Sequence, residues 1–290
     1  MSDKPAVTIF GETLIDCFPD GQEVMGGAPF NVAWHLQAFG DQPCLISRVG
    51  NDAHGADILH AMKSWGMDSN GMQIDAQHPT GRVDVTLQDN EPSYSITPDC
   101  AYDFTDADII PPITKGVLYH GTLALRNPVA RNAFNKLLAN ADLSIFLDVN
   151  LRQPWWQAED VFGWIKQAHW VKLNHDELTQ LGIVIDDRNR DLAQFQNEYE
   201  IDLLIVTYGE EGAVVRTRQG QLHQVRPSPA QHFVDTVGAG DAFTATFLHG
   251  LLAGWTIAET INAAQDFASA VVGQRGAIST DPEFYTSFNY

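Results

Sequence analysis

The sequence predicts an α/β protein whose parallel strands are covered on both faces by helices. From residue 116 onward, strand-like apolar runs alternate with helical segments: VLYHG, a helix over about 128–140, SIFLDVN, a helix near 160–168, and WVKLN. Such alternation is typical of parallel sheets, which bind ligands at the carboxyl ends of their strands. The 290 residues, 44% of them hydrophobic, are enough for one large domain with a sizeable core.

The N-terminal part follows the same pattern. Ala6 to Phe10 is an apolar run halted by Gly11, as expected of a strand that ends in a turn. Residues 26–29, GGAP, then open a helix that extends to about Phe39. Residues 45–49 predict a strand and residues 54–65 a helix. The last quarter, from Asp241 to Gly273, is helical.

Residues from about 80 to 104 interrupt the alternation. Apolar residues alternate at 83, 85 and 87, a turn signal follows at 89–92, and the alternation resumes at 94 and 96. This pattern predicts a β-hairpin. A polar-faced hairpin inserted in an α/β chain is either a candidate lid over a site or an ordinary surface hairpin.

Composition excludes several classes of partner. The chain carries 37 acidic and 17 basic residues, a net charge of −20, which argues against nucleic acid and against an anionic membrane surface. A nucleotide ligand would therefore need a local positive site made of helix N-termini, a divalent cation and a few arginines. The three cysteines are widely spaced, the ten histidines show no ligand spacing, and there is no secretory signal or long apolar run. We expect a reduced cytoplasmic protein with structural histidines.

The segment Gly238-Ala239-Gly240-Asp241 places a carboxylate at the start of a strongly apolar helical run. Two glycines separated by one residue let backbone N–H groups converge on an anion, and the helix dipole adds positive potential. These amides could hold an anion, and they should favour the ionised form of Asp241. The alternative is that Asp241 is only a helix cap.

Polar residues also follow two predicted strands. Asp148, Asn150 and Arg152 alternate after an apolar run, so in an extended chain all three point the same way; a polar loop is the alternative. Asn174 and Glu177 follow the next strand. Their spacing fits a capping box, and it also fits a pair that organises a hydrated Mg²⁺ ion.

Two further segments offer ligand-binding groups. Thr207-x-Gly209-x-x-Gly212 predicts either hairpin-turn chemistry or a place where a nucleotide approaches the backbone closely. Near the N-terminus, a carboxylate, backbone amides and an amide side chain could bind the hydroxyls of a polyol, or could simply form a helix-entry loop. These residues are Asp16, Gly26, Gly27 and Asn31. The sequence lacks a P-loop, a complete dinucleotide fingerprint, a serine-hydrolase elbow and a zincin motif.

Taken in order, these motifs resemble the ribokinase-like (PfkB) sugar kinases over essentially the whole chain. The most specific part is the segment DTVGAGD, residues 235–241, together with GGAPFNVA near residue 26. GGAPFNVAWHLQAFG and DVNLRQPWW look most like the fructokinase branch. Phe30 and Trp34 are bulkier than the small residues expected after Gly-Gly-Ala-Pro.

The resemblance implies one domain over residues 1–290, with a doubly wound, mostly parallel sheet and helices on both faces. A small β-lid would be formed by about 11–25 and 80–104, through which the protein could form a homodimer. The implied reaction is ATP-dependent phosphorylation of a sugar hydroxyl, with fructose as the expected acceptor. The alternatives are ribose, 2-keto-3-deoxygluconate or a nucleoside as acceptor, and a non-catalytic sugar-binding regulator on the same fold.

The same resemblance implies roles for the motif residues. Asp241 would be the base, with the amides of Gly238, Ala239 and Gly240 around the transferred phosphoryl group. The sugar would be held by Asp16, Gly26, Gly27 and Asn31, with Arg152 near its reacting end or the transferred phosphate. ATP would lie along Asn174, Glu177, Thr207, Gly209, Gly212 and Gly240. Glu177 would hold Mg²⁺ through water, and Asp235 with the loop 276–280 would hold K⁺.

Overall fold

The computed structural model describes residues 6–88, 91–227 and 237–288. Its strands, in chain order, are β1 (Val7–Phe10), β2 (Leu14–Cys17), β3 (Glu23–Gly26), β4 (Cys44–Gly50), β5 (Met72–Asp75), β6 (Gly81–Gln88), β7 (Glu91–Ile96), β8 (Lys115–His120), β9 (Asp142–Asp148), β10 (Trp170–Asn174), β11 (Leu203–Thr207), β12 (Ala213–Thr217) and β13 (Leu222–Val225). Its α-helices are α1 (Ala28–Ala38), α2 (Ala53–Ser64), α3 (Pro128–Ala139), α4 (Ala158–Gln167), α5 (His175–Gln180), α6 (Arg188–Glu198), α7 (Ala239–Ala253), α8 (Ile257–Val272) and α9 (Pro282–Thr286).

Nine strands form the main sheet, in the order β13-β12-β11-β10-β9-β8-β1-β4-β5. The strands from β11 to β5 pair in parallel, and β12 and β13 add an antiparallel edge. The predicted α/β class, with a mostly parallel sheet and helices, is confirmed. The hairpin predicted around residues 209–212 is the antiparallel β11–β12 connection.

Helices cover both faces of this sheet because the strands are apolar on both sides. In β11, Leu203 and Ile205 join one hydrophobic cluster, whereas Leu204 and Val206 join the other. This is the two-residue period of a strand buried on both faces. The first cluster contains residues of α1, α2, α7 and α8, and the second contains residues of α3 to α6. The core therefore lies in two layers, and α1 and α7 share one of them.

A second sheet has four strands in the order β3-β2-β6-β7. The predicted hairpin is present, because β6 and β7 pair antiparallel, with Val83 opposite Ile96 and Val85 opposite Tyr94. Part of its predicted turn, residues 89–90, lies outside the described residues. The buried segment 11–13 joins β1 of the main sheet directly to β2 of this smaller sheet. The smaller sheet is thus attached at the carboxyl end of a central strand.

Most predicted elements end within two residues of the observed ones. Helix α2 begins after Asp52, whose side chain accepts a hydrogen bond from the amide of Gly55. Helix α4 begins at Ala158, so the acidic pair Glu159 and Asp160 occupies its first turn, where the helix dipole favours negative charge. In the part of the chain that the structure describes, no helix is both long and apolar enough to cross a membrane.

Candidate active site

Two helix N-termini, 210 positions apart in sequence, meet at the carboxyl edge of the main sheet. Asn31, in the first turn of α1, donates a hydrogen bond from Nδ2 to Oδ2 of Asp241 in the first turn of α7, at 2.8 Å. Each helix is preceded by a glycine with positive φ, 102° at Gly27 and 81° at Gly238. The structure thus brings the predicted hydroxyl-binding segment and the predicted base into direct contact.

The glycines of these turns are required by space as well as by conformation. A Cβ atom on Gly27 would lie 2.6 Å from the carbonyl oxygen of Glu12, and one on Gly26 would lie 2.5 Å from Oδ2 of Asp16. At Gly238 a Cβ atom would overlap the backbone of Ala277. Both turns are therefore packed against neighbouring backbone or a site carboxylate, which any larger residue would displace.

Glu12 and Asp16 lie close enough to Asp241 for its charge to act on both, and burial raises the pKa of all three carboxyl groups. The pKa of Glu12 is raised to about 7 and that of Asp16 to about 6, in both cases chiefly by loss of hydration. Burial also raises the pKa of Asp241, against the opposing effect of the hydrogen bond from Asn31. The expectation that the helix start would favour the ionised form of Asp241 was wrong in direction, because desolvation outweighs the favourable contacts.

Arg152 provides positive charge close to these carboxyl groups. Its guanidinium lowers the pKa of Glu12, Asp16 and Asp241, although the side chain itself is exposed. The site therefore combines a cluster of carboxyl groups with a cation at its mouth.

The extended chain expected from Asp148 through Asn150 to Arg152 was wrong, although the charges of Asp148 and Arg152 both act on Asp241. Strand β9 ends at Asp148, and Asn150 adopts a left-handed conformation with φ of 39°, so the chain is not extended beyond the strand. Asp148 is buried and binds Nζ of Lys172 at 2.7 Å and Oγ1 of Thr244 at 2.9 Å. Asp148 thus lies beneath the site, whereas Arg152 lies at its surface.

Sequence reasoning overlooked Lys172, which lies behind the turn 238–240. Its Nζ atom is 3.7 Å from the position that a Cβ atom would take on Gly240. Burial lowers the pKa of Lys172, but the carboxylate of Asp148 outweighs this effect and raises it. A lysine in the apolar strand WVKLN was the available signal. The helix start therefore has a buried ammonium group behind it, in addition to its amides and dipole.

Sequence reasoning also gave no role to Glu12. Its side chain is 3% exposed, and Oε2 has no hydrogen-bond partner among the described residues. The sequence feature that could have pointed to Glu12 was its position directly after Gly11, the glycine that ends the first strand. It lies on the segment that joins the two sheets.

Asn174 and Glu177 form the capping box. The amide of Glu177 donates to Oδ1 of Asn174, and the amide of Asn174 donates to Oε2 of Glu177, both at 2.8 Å. Oε1 of Glu177 accepts from the amide of Leu151 at 3.0 Å. Each carboxylate oxygen of Glu177 thus accepts one backbone hydrogen bond, and the hydrated Mg²⁺ ion stays a prediction. Among residues 6–88, 91–227 and 237–288, no group of three metal-ligating side chains occurs.

The segment 207–212 leaves strand β11 next to the capping box. Thr207 pairs with Asn174 across the two parallel strands. Gly209 has a φ of 56°, and a Cβ atom placed on it would meet no atom within 4 Å, so this side of the turn is open. Gly212, in contrast, packs against the carbonyl of Val225. Gly209 therefore leaves the turn open, whereas Gly212 allows close packing.

Three residues noted in the sequence remain to be placed: Asp235, Phe30 and Trp34. Asp235 lies outside the described residues, whereas its expected partner, the loop 276–280, packs on Gly238 through Ala277. Phe30 and Trp34 are 0% and 1% exposed and belong to the core cluster. Their bulk is therefore absorbed by the interior.

The α/β fold, the smaller sheet at a strand end and the carboxylate at a glycine-framed helix start are the features that the sequence led us to expect of a sugar kinase. Residues 6–283 match the pfkB family carbohydrate kinases, and the chain belongs to this family. It is 32% identical to a fructokinase of Escherichia coli over 260 residues, 84% of each protein. It is 30% identical to a fructokinase of Klebsiella pneumoniae over 262 residues, 85% of this chain and 84% of that protein.

Solved structures agree with this assignment. A fructokinase double mutant from Vibrio cholerae O395, in its fructose, ADP and potassium ion bound form, superposes with a TM-score of 0.84 at 26% identity. The match covers 98% of this chain and 99% of that one. The ribokinase-like fold expected from the sequence is confirmed.

Proposed function

We propose that this protein is a fructokinase, which transfers the terminal phosphoryl group of ATP to a hydroxyl group of fructose. The observation that carries the proposal is the hydrogen bond between Asn31 and Asp241. It brings together a segment suited to sugar hydroxyls and a carboxylate suited to remove a hydroxyl proton. The fructokinases among the relatives support fructose as the acceptor.

Asp241 acts as the general base in this proposal. The sugar oxygen attacks the terminal phosphorus of ATP, the bond from that phosphorus to the bridging oxygen of ADP breaks, and the hydroxyl proton passes to Asp241. Its raised pKa makes it a stronger base than an ordinary aspartate, provided that it is ionised at the working pH. The hydrogen bond from Asn31 fixes the orientation of the carboxylate toward the sugar.

Positive charge for the transferred group comes from several parts of the chain. The amides of residues 238–240 lie at the N-terminus of α7, Lys172 lies behind them, and Arg152 lies at the mouth of the site. Phosphoryl transfer depends mainly on such positioning and charge neutralisation. This local arrangement lets a strongly acidic protein bind ATP.

The nucleotide and its ions would lie along the edge formed by β10 and β11. The open side of Gly209, with Thr207 and Asn174 beside it, leaves room for the nucleotide. A bound Mg²⁺ would neutralise phosphate charge, and Glu177 would hold it through water. We assign the K⁺ site to Asp235 and the loop 276–280 because the sequence resembles the ribokinase-like sugar kinases.

The sheet of β2, β3, β6 and β7 is proposed to be the lid, and also the surface of a homodimer. Asp16, on β2, faces the site together with Gly26 at the end of β3. Sugar bound between Asp16, Gly27 and Asn31 would lie under this sheet. Closure would exclude water from the phosphoryl group.

A panel of acceptors assayed by ADP release tests the proposal. We expect the highest kcat/KM for fructose, with lower values for ribose, 2-keto-3-deoxygluconate and nucleosides. If ribose is turned over far faster than fructose, the proposed acceptor is wrong but the proposed phosphoryl transfer stands. Absence of ADP release with every acceptor, together with measurable fructose binding, would instead indicate a sugar-binding regulator.

A further inference from the structure

A buried set of hydrogen bonds connects α1 and the C-terminal helix α9 to the loop that packs on the catalytic turn. Nε1 of Trp34 donates to the carbonyl of Ser279 at 2.8 Å. Nε2 of His35 lies 3.0 Å from the carbonyl of Ala277, and its Nδ1 lies 3.1 Å from the hydroxyl of Tyr285. We call Trp34, His35 and Tyr285 the loop clamp.

The protonation state of His35 follows from these partners. A carbonyl can only accept, so Nε2 carries the hydrogen and Nδ1 accepts from Tyr285. Burial lowers the pKa of His35 to about 3, so the ring is neutral and this tautomer persists at physiological pH. The tyrosine hydroxyl in turn accepts from the amide of Ser279 at 3.3 Å. The loop backbone is therefore held at a carbonyl and an amide by one histidine–tyrosine pair.

The clamped loop lies directly against the catalytic turn. Ala277 packs so closely on Gly238 that no Cβ atom fits between them, and Ala277 is 4% exposed. Two clamp residues, Trp34 and His35, lie three and four positions after Asn31 on the same helix, so they share its face of α1. One helix thus carries both the partner of Asp241 and the support of the turn that precedes it.

We propose that His35 and Tyr285 are positioning residues for phosphoryl transfer, which set the amides of residues 238–240 by holding Ala277 against Gly238. The proposal rests on the proposed kinase activity of this turn. A turn that shifts by about 1 Å can lose roughly 10²-fold in rate while substrates still bind. The clamp should therefore affect kcat more than KM.

His35→Leu removes both hydrogen bonds of the ring, and His35→Gln keeps a donor that can reach Ala277. With the best acceptor of the panel, we expect His35→Leu to lower kcat roughly 10²-fold, with the KM for sugar nearly unchanged. His35→Gln should recover most of that loss. Tyr285→Phe, which removes only the hydroxyl group, should lower kcat in the same direction.

Trp65→Phe is the matched control. Trp65 stacks on Trp34, with ring centroids 4.9 Å apart, and contacts Tyr285, but its indole N–H donates to the carbonyl of Trp34. This variant disturbs the same aromatic cluster and leaves the loop clamp in place. We expect its kcat to stay close to that of the unmodified protein, whatever its effect on thermal stability.

Hydrogen exchange gives a readout that does not need activity. The amides of Ala277, Ile278 and Ser279 and those of residues 238–241 should exchange faster in His35→Leu and Tyr285→Phe than in Trp65→Phe. If His35→Leu does not fold, Tyr285→Phe decides. Folded variants with unchanged kcat and unchanged hydrogen exchange would overturn the proposal that the loop clamp positions residues 238–240. An unmodified protein without turnover would refute the kinase proposal, and the exchange measurement would still decide the clamp.

Discussion

Asn31 and Asp241 are joined by a hydrogen bond of 2.8 Å between two helix N-termini. Asp241→Ala should abolish turnover and leave ATP binding nearly intact, because general-base catalysis typically contributes about 10²–10⁴-fold. Steady-state kinetics and ATP titration calorimetry measure the two effects. Asp266→Ala, at an exposed position on α8, is the control for loss of one aspartate. Retention of most of kcat in Asp241→Ala would show that the base lies elsewhere.

Asn31→Ala should move the acid limb of the pH–rate profile to higher pH. Activity is lost as pH falls through the pKa of Asp241, since a protonated carboxyl group cannot accept the sugar proton. The hydrogen bond from Asn31 lowers that pKa, so its removal raises it. The measurement is kcat/KM from about pH 4 to 9. Asn262→Ala, exposed on α8, is the control and should leave the acid limb in place. An acid limb that moves to lower pH in Asn31→Ala would contradict the assignment of Asp241 as the base.

Arg152→Ala should lower kcat/KM for the sugar by about 10-fold or more, as expected for loss of a charged contact. Because Arg152 is exposed, the free energy of unfolding should change by less than about 0.5 kcal/mol. Urea denaturation and acceptor kinetics test both expectations. Arg190→Ala, on the exposed face of α6, is the matched control. A large loss of stability with unchanged kinetics would give Arg152 a structural role.

Glu12→Gln should stabilise the protein at neutral pH. The pKa of Glu12 is about 7 in the folded chain against 4.5 for the free group, so the folded state keeps a proton that the unfolded state releases. The contribution of Glu12 to the free energy of unfolding therefore falls as pH rises from 4.5 to 7. At pH 8 the variant should be more stable by roughly 3 kcal/mol.

The difference between Glu12→Gln and the unmodified protein should vanish below about pH 4, where the glutamate is protonated in both states. Urea denaturation across this range measures it. Asp266→Asn, at an exposed position in the middle of α8, controls for the loss of one negative charge. A Glu12→Gln variant that is less stable at pH 8 would show that the ionised carboxylate supports the fold.

Sugar should slow amide hydrogen exchange in the hairpin of β6 and β7, if the smaller sheet closes over the site as proposed. The hairpin of β12 and β13, on the far edge of the main sheet, is an internal reference. Equal exchange with and without a saturating concentration of sugar would argue for an ordinary surface hairpin.

The sequence predicted the main elements well because its apolar runs are long and bounded by glycine. It also predicted that Asn31 and Asp241 lie at helix starts, where the structure places them in contact. It did not reveal that the chain leaves the extended conformation at Asn150, between the buried Asp148 and the exposed Arg152. Backbone conformation at a single loop residue leaves little trace in a periodic pattern.

Lys172 and the raised pKa of Asp241 were missed for a different reason. A lysine in a strand is usually assigned to the surface, and its burial depends on Asp148 and Thr244, which come from other elements. The balance between desolvation and hydrogen bonding at Asp241 likewise depends on how deeply the turn is packed. Both are tertiary effects that the local sequence does not contain.

The span between Asn31 and Asp241 also has a consequence for protein synthesis. A ribosome that adds about 5–20 residues per second needs roughly 10–40 s to make the 210 residues that separate them. During that time α1 has emerged, but the helix that completes the centre has not been made. A nascent chain that ends before Asp241 lacks the carboxylate proposed as the base, so we expect premature termination to yield inactive fragments.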